Sequence, residues 1–222
     1  LRLPGATLTL VGTDGGLLEQ PVSGLTELLL APAQRVELIV DAPAKAGRVA
    51  LLADTYARGK MGDAPPDQPV SLLQVDFAAR SGQALAALPA KLRAIADPGP
   101  VQAKKRVVFS EKMSMAGGVH SMAFLVNGKQ FDMGRFDLVS RVGEVELWEV
   151  ANESDMDHPF HIHGTQFQVI ESELAGKITP APYRAWRDTF NLKSGETVRL
   201  KLVQHFKGPR MYHCHILERE NA

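Results

Sequence analysis

The stretches His158-Pro159-Phe160-His161-Ile162-His163-Gly164 and His213-Cys214-His215 hold five of the chain's seven histidines and its only cysteine. Imidazoles and a thiolate at this density are metal ligands by type. One thiolate with two imidazoles suits copper, although zinc takes the same donors. Side chains alternate between the faces of an extended strand. If 213–215 is extended, His213 and His215 point one way and Cys214 the other. The same parity groups His161 with His163 and puts His158 opposite them, unless Pro159 disturbs the strand. Two sites follow: Cys214 with His158, and His161, His163, His213 and His215 together. The thiolate of the first is covalently continuous with two ligands of the second, a wiring suited to passing electrons between metal centres.

Outward from these motifs the chain reads as strands. Leu8 and Leu10 alternate with Thr7 and Thr9, Val36, Leu38 and Val40 with Arg35, Glu37 and Ile39, and Val198, Leu200 and Leu202 with Thr197, Arg199 and Lys201. That is the pattern of strands buried on one face. Asp14-Gly15-Gly16 and Ser194-Gly195 mark turns. Asn127-Gly128 predicts a two-residue hairpin between 124–126 and 129–131, since Asn and Gly tolerate the positive φ that a type I′ turn requires. Many short strands with regular turns predict an all-β antiparallel sandwich.

The Ala- and Leu-rich stretch Ser81–Ala96, ended by Asp97-Pro98-Gly99-Pro100, reads as a linker with a short helical turn. It divides the chain into a first unit, 1–79, a linker, 80–104, and a second unit, 105–222. The second has the size of a complete sandwich, about 100 residues. The first is short, and a truncated sandwich exposes an unpaired edge that favours pairing with another chain.

Lys and Arg together number 25, as do Asp and Glu. Zero net charge without a basic run argues against nucleic acid as a partner. No apolar run approaches the roughly 20 residues of a membrane-spanning helix. A single cysteine excludes an intrachain disulfide. The chain opens on Leu1 rather than Met, so it is expected to be a processed product or a piece of a longer protein.

HPFHIHGTQFQVI at 158–170 and MYHCHILE at 211–218 resemble the ligand motifs of the multicopper oxidases, in particular the three-domain bacterial type related to laccases and copper efflux oxidase; LAPAQRVELIVDA at 30–42 is similar to that family's second domain. The resemblance implies a cupredoxin-like Greek-key β-sandwich, one complete domain preceded by a partial one. It implies His158 and Cys214 as ligands of a type 1 copper, His161 at a type 2 copper, and His163, His213 and His215 at a type 3 pair. In the parent protein, single electrons from phenols, aromatic amines or metal ions would pass through Cys214 to the trinuclear cluster, where dioxygen is reduced to water. The resemblance also implies an N-terminal cupredoxin domain as partner, a periplasmic or extracellular location, and a proton-delivering acid at Glu220.

The departures bear on activity. Where the family has a further type 1 histidine, five residues after the cysteine, this chain has Arg219, which stays protonated and offers no lone pair. The axial methionine of the family falls ten residues after Cys214, beyond Ala222. The chain has no other His-x-His pair, whereas the family's N-terminal domain carries two. The chain alone is therefore expected to be inactive, to bind copper weakly and to lack strong blue colour. Arg219 also admits a redox-inactive scaffold on the same fold. A small electron-transfer cupredoxin would leave four histidines without a task.

Other residues admit two readings. Asp155, Asp157 and Asp188 read either as carboxylates that orient ligand imidazoles or as exposed loop acids. Met113, Met115 and Met122 read as core filler or as a soft thioether patch for copper(I). His120 and His205 read as ordinary surface or loop histidines.

Overall fold

The computed structural model describes residues 1–43, 45–59, 68–79, 86–116 and 119–216, with only the backbone given for 116 and 119–121. Among these residues the chain forms strands and no helix, so none is long and apolar enough to cross a membrane.

The second unit begins with β6 (Ala103–Ala116), β7 (Val119–Val126) and β8 (Val145–Asn152) and continues with β9 (His158–Ile162) and β10 (Phe167–Leu174). It is completed by β11 (Lys177–Pro180), β12 (Thr189–Leu192), β13 (Glu196–Val203) and β14 (Tyr212–Cys214). A six-stranded sheet runs β11-β10-β13-β8-β6-β7, and a three-stranded sheet runs β12-β9-β14. Among the described residues only β6 and β8 pair in parallel. The sheets share one core: Val107, Phe109, Trp148, Val150, Phe167 and Leu200 from the larger, and Phe160, Ile162, Leu192 and Cys214 from the smaller. β13 shows why. Val198, Leu200 and Leu202 are fully buried, while Thr197, Arg199 and Lys201 alternate outward. Each such apolar side chain contributes about 1.5–3 kcal/mol. On the outer face Arg199 reaches Glu171 at 2.7 Å and Glu173 at 3.0 Å across to β10.

The first unit holds β1 (Thr7–Thr13), β2 (Gly16–Leu25) and β3 (Val36–Asp41) in the order β2-β1-β3, and a separate ribbon of β4 (Gly47–Ala53) and β5 (Val70–Phe77). The alternation expected around Leu8 and Leu10 is not found, because Thr9 is as buried as its neighbours. β1 is the middle strand and both its faces are covered. The ribbon is the exposed edge: Val70, Leu72 and Leu73 are each at least half exposed.

The two units are joined by more than a covalent link. Ala185 completes the apolar cluster of Leu10 and Leu18, with Tyr183 and Leu92 packed against it. The described part of the linker, 86–100, has no helical turn; Pro89 and the Asp97–Pro100 run leave it extended. It behaves as a strap. Leu92 N–H donates to Glu19 O, Ile95 is buried, Gln168 Nε2 donates to Ala96 O at 2.7 Å, and Arg184 donates to Ile95 O at 2.9 Å.

Asn127 (φ 52°) and Gly128 (φ 73°) make the expected two-residue turn, but 129–131 is not a strand. Only Val126 and Lys129 bridge, and Phe131 is exposed. β7 pairs with β6 instead, and Asn127 locks onto that strand by accepting Val108 N–H at 2.8 Å.

A candidate copper centre on two faces of one strand pair

β9 lies between β12 and β14, and the β14 register sets His213 opposite His161, Cys214 opposite Phe160 and Tyr212 opposite Ile162. Opposed residues share a face. The strand runs regularly through Pro159, whose carbonyl accepts His215 N–H at 2.9 Å. The inward face carries His158, Phe160, Ile162 and Cys214, all buried. The outward face carries His161, His163, His213 and His215, and their rings converge. Centroid separations are 4.8 Å for His161–His163, 4.9 Å for His161–His215, 5.1 Å for His163–His213 and 4.7 Å for His213–His215. Ligand nitrogens of His161, His213 and His215 all lie within 4.8 Å of one another. His163 Nε2 and His213 Nε2 are 2.9 Å apart. A single ion gathering Cys214 with its two neighbours is incompatible with this divergence.

Hydrogen bonds fix which nitrogen each ring presents. A carbonyl only accepts, so His213 Nδ1 must donate to Cys214 O at 3.0 Å, and its lone pair lies on Nε2. His161 Nδ1 likewise donates to Asp188 O at 3.0 Å, with Thr189 Oγ1 at 2.9 Å, and also presents Nε2. Partial desolvation of one side of its ring, and then the neighbouring imidazoles of His161, His213 and His215, lower the His163 pKa, against the opposing pull of Asp188. The Nε2 lone pairs of His161 and His213 thus face the cluster, the orientation a metal requires. The four imidazoles on one face and the thiolate on the other fit copper by donor type.

His158 sits on the inward face, stacked on Phe109 with ring centroids 5.2 Å apart, and its Nε2 is 2.6 Å from Ser154 Oγ. Ser154 is held by Asn152, whose Oδ1 accepts Ser154 N–H at 3.0 Å and Ser154 O–H at 2.7 Å. With the hydroxyl proton on Asn152, His158 donates from Nε2 and its lone pair lies on Nδ1.

Of the three acids, Asp188 meets an imidazole: its Oδ1 is 3.5 Å from His161 Nδ1. Burial pushes its carboxyl up, but hydrogen bonds from His161, Arg35 and Thr189 outweigh this and hold it well below the usual range. Asp157 is buried and accepts from Tyr56 at 2.8 Å and Asn191 at 2.7 Å, while Asp155 is exposed. Met113 and Met115 are 60% and 68% exposed, so they are not core filler. His205 is exposed. Arg219 and Glu220 lie outside the described residues, as does the side chain of His120.

Sequence reasoning missed Ser154, Thr189, Arg35 and Asp14 as supports of the site. The Asp-Thr pair after Trp186-Arg187 and the Asp-Gly turn at 14–15 were visible, but nothing in the order of residues signals that they touch.

The sequence profile of the multicopper oxidases matches residues 101–222. The chain is 28% identical over 215 residues to a multicopper oxidase of Staphylococcus haemolyticus, covering 95% of this chain and 40% of that protein. It is 28% identical over 240 residues to the laccase of Bacillus subtilis, covering 98% of this chain and 45% of the laccase. Among solved structures it is similar to the multicopper oxidase of Campylobacter jejuni, described as a metallo-oxidase, with a TM-score of 0.89 and 43% identity over 99% of this chain and 48% of that one. The chain thus spans less than half the length of these relatives. The two-sheet architecture is the cupredoxin fold of those structures, and with the profile matched over the whole second unit, this chain belongs to the multicopper oxidase family.

Proposed function

We propose that this chain is the C-terminal part of a copper-dependent oxidase whose remaining part supplies the other ligands of the imidazole cluster. His158 and Cys214 hold a type 1 copper, and His161, His163, His213 and His215 hold their share of a type 2/type 3 cluster. Copper so bound supplies one-electron redox chemistry. The observation that carries the reading is strand parity: the Cys214 side chain enters the core while the imidazoles bonded to it through one peptide link on each side face the cluster. Cys214 therefore gives a short covalent path from one face to the other. Phe160, Trp148 and Phe109 keep water from the buried side. His163 is exposed, so the cluster lies open to a further domain.

The electron source is a phenol, an aromatic amine or a metal ion, and the acceptor is dioxygen, reduced to water. Glu220 delivers protons, and the protein works in the periplasm or outside the cell; the family resemblance supports both points. Arg219, in place of the third type 1 ligand, favours a second reading, a redox-inactive scaffold on the same fold. Metal analysis and the visible spectrum of the complete protein, beside an Arg219→His version, separate them. Four coppers and oxidase activity in the parent support the oxidase. Colour and turnover only after Arg219→His locate the defect at that residue. An intense thiolate-to-copper band from this chain alone would contradict the assignment of an incomplete type 1 site.

A further inference from the structure

Beside the outward imidazoles, a charged group of the first unit is built into the support of His161. Arg35 places a two-pronged fork on Asp188, with Nη1 2.7 Å from Oδ1 and Nη2 2.6 Å from Oδ2. Thr189 Oγ1 donates to the same carboxylate at 2.9 Å. Its one proton is spent there, so towards His161 Nδ1 the hydroxyl oxygen can only accept. The Asp14 carboxylate, whose side chain is fully buried, accepts Arg35 N–H at 2.7 Å on Oδ1 and the Asp188 and Thr189 N–H groups, each at 3.3 Å, on Oδ2. Both acceptors of the His161 Nδ1 proton, Asp188 O at 3.0 Å and Thr189 Oγ1 at 2.9 Å, therefore belong to one corner: the guanidinium holds the carboxylate, the carboxylate takes the hydroxyl proton, and the hydroxyl oxygen shares the Nδ1 proton with the Asp188 carbonyl.

We propose that Arg35 is a positioning residue for His161: by clamping Asp188 across the two units, it keeps the 188–189 corner in place and the His161 ring in the Nδ1–H tautomer, with Nε2 directed at His213 and His215. The value of that orientation for copper rests on the function proposed above; the orientation itself does not. The Asp14 contacts place the same corner from the backbone side, so Asp14 and Arg35 act on the ligand strand through residues 188–189.

The test reads the tautomer directly, in 15N-histidine-labelled, copper-free protein, by long-range 1H–15N correlation. The native protein is expected to show His161 in a single Nδ1–H form. In Arg35→Ala the Nε2–H form rises at least tenfold while the His158 signals stay in place. Arg35→Lys keeps the charge but not the fork and gives a smaller shift. Should Arg35→Ala fail to fold, Asp188→Asn serves, since a neutral carboxamide gives up the charged fork with Arg35 and loosens the 188–189 corner that holds both acceptors of the Nδ1 proton. A folded Arg35→Ala with His161 still purely Nδ1–H overturns the proposal. Copper competition in the complete protein is the second readout, with about a tenfold loss of affinity expected at the imidazole cluster. A shifted tautomer with unchanged copper affinity upholds the positioning role and overturns the reading of His161 as a ligand.

Discussion

Gly15 and Trp186 are pressed backbone to backbone across the junction of the two units. Gly15 N–H donates to Trp186 O at 2.9 Å, and a Cβ on Gly15 would stand 2.2 Å from Trp186 Cβ and 2.6 Å from its carbonyl oxygen. No side-chain rotation relieves such an overlap. The junction must open, and with it the Asp14–Thr189 contacts one residue away. Gly15→Ala is expected to cost about 1–3 kcal/mol, the range for forced overpacking. Gly24→Ala is the control: its φ is +80° with nothing within 4 Å, so only the left-handed backbone term of about 1–2 kcal/mol applies. Urea denaturation of both variants, with the His161 tautomer read alongside, checks the difference; only Gly15→Ala should disturb the histidine.

The two faces of β9 and β14 predict separable losses. Cys214→Ser removes the sulfur from the inward site and leaves the four imidazoles in place, so the complete protein should keep the copper of its cluster and lose any thiolate-to-copper absorption. His215→Ala should do the reverse, because His215 faces His161 at 4.9 Å and not the core. Copper content with optical and electron paramagnetic spectra reads both. Loss of both centres together in either variant would contradict the parity.

How far the chain could be read in advance depended on whether the physics was local. β13 was legible because alternation and one-sided burial are the same fact seen twice: Val198, Leu200 and Leu202 in, Arg199 and Lys201 out. The metal motifs were legible for the same reason, since a period of two needs no partner to be known. Thr9 was misread because its second face is covered by structure that its own alternation cannot report. Residues 129–131 have strand composition but no partner, and the turn at Asn127 closes onto β6 rather than starting a new ribbon. The contact of Arg35 with Asp188 spans 153 positions. Its two ends carry no mark of each other, so the support of His161 became visible only in three dimensions.

Tyr56 joins the first unit to the strand that carries His158, donating to Asp157 at 2.8 Å. Burial, and then the adjacent Asp157 carboxylate, push its phenol pKa up to about 12. An unfolded chain ionises its tyrosines near pH 10. Between pH 10 and 12 the unfolded state therefore loses the Tyr56 proton while the folded state keeps it, and stability falls as pH rises through that window. Below pH 10 the contribution is fully present. Tyr56→Phe should flatten this alkaline slope. At neutral pH it should cost about 1 kcal/mol, since Tyr56 is partly open to solvent and Asn191 still donates to the Asp157 carboxylate. Denaturation midpoints at pH 8, 10 and 11 decide it; parallel slopes in the two proteins would remove Tyr56 as the cause.

Lys105 and Glu146 form the most deeply buried ion pair among the described residues, with side chains 9% and 0% exposed and Nζ 3.1 Å from Oε1. That contact is off the line of a hydrogen bond, so Oε1 is held by charge alone, while Oε2 accepts the Trp148 indole N–H at 2.8 Å. Lys105 also donates to Ser140 at 2.8 Å, tying the 137–141 loop to the sheet. Removing the cation strands a carboxylate in the core. Lys105→Met is expected to cost about 3–5 kcal/mol. Adding Glu146→Gln removes the stranded charge but keeps an acceptor for Trp148, so the double variant should recover more than half of that loss. A double-mutant cycle by chemical denaturation measures the coupling. If the two changes simply add, the pair is solvated rather than buried, and the loop is held by apolar packing alone.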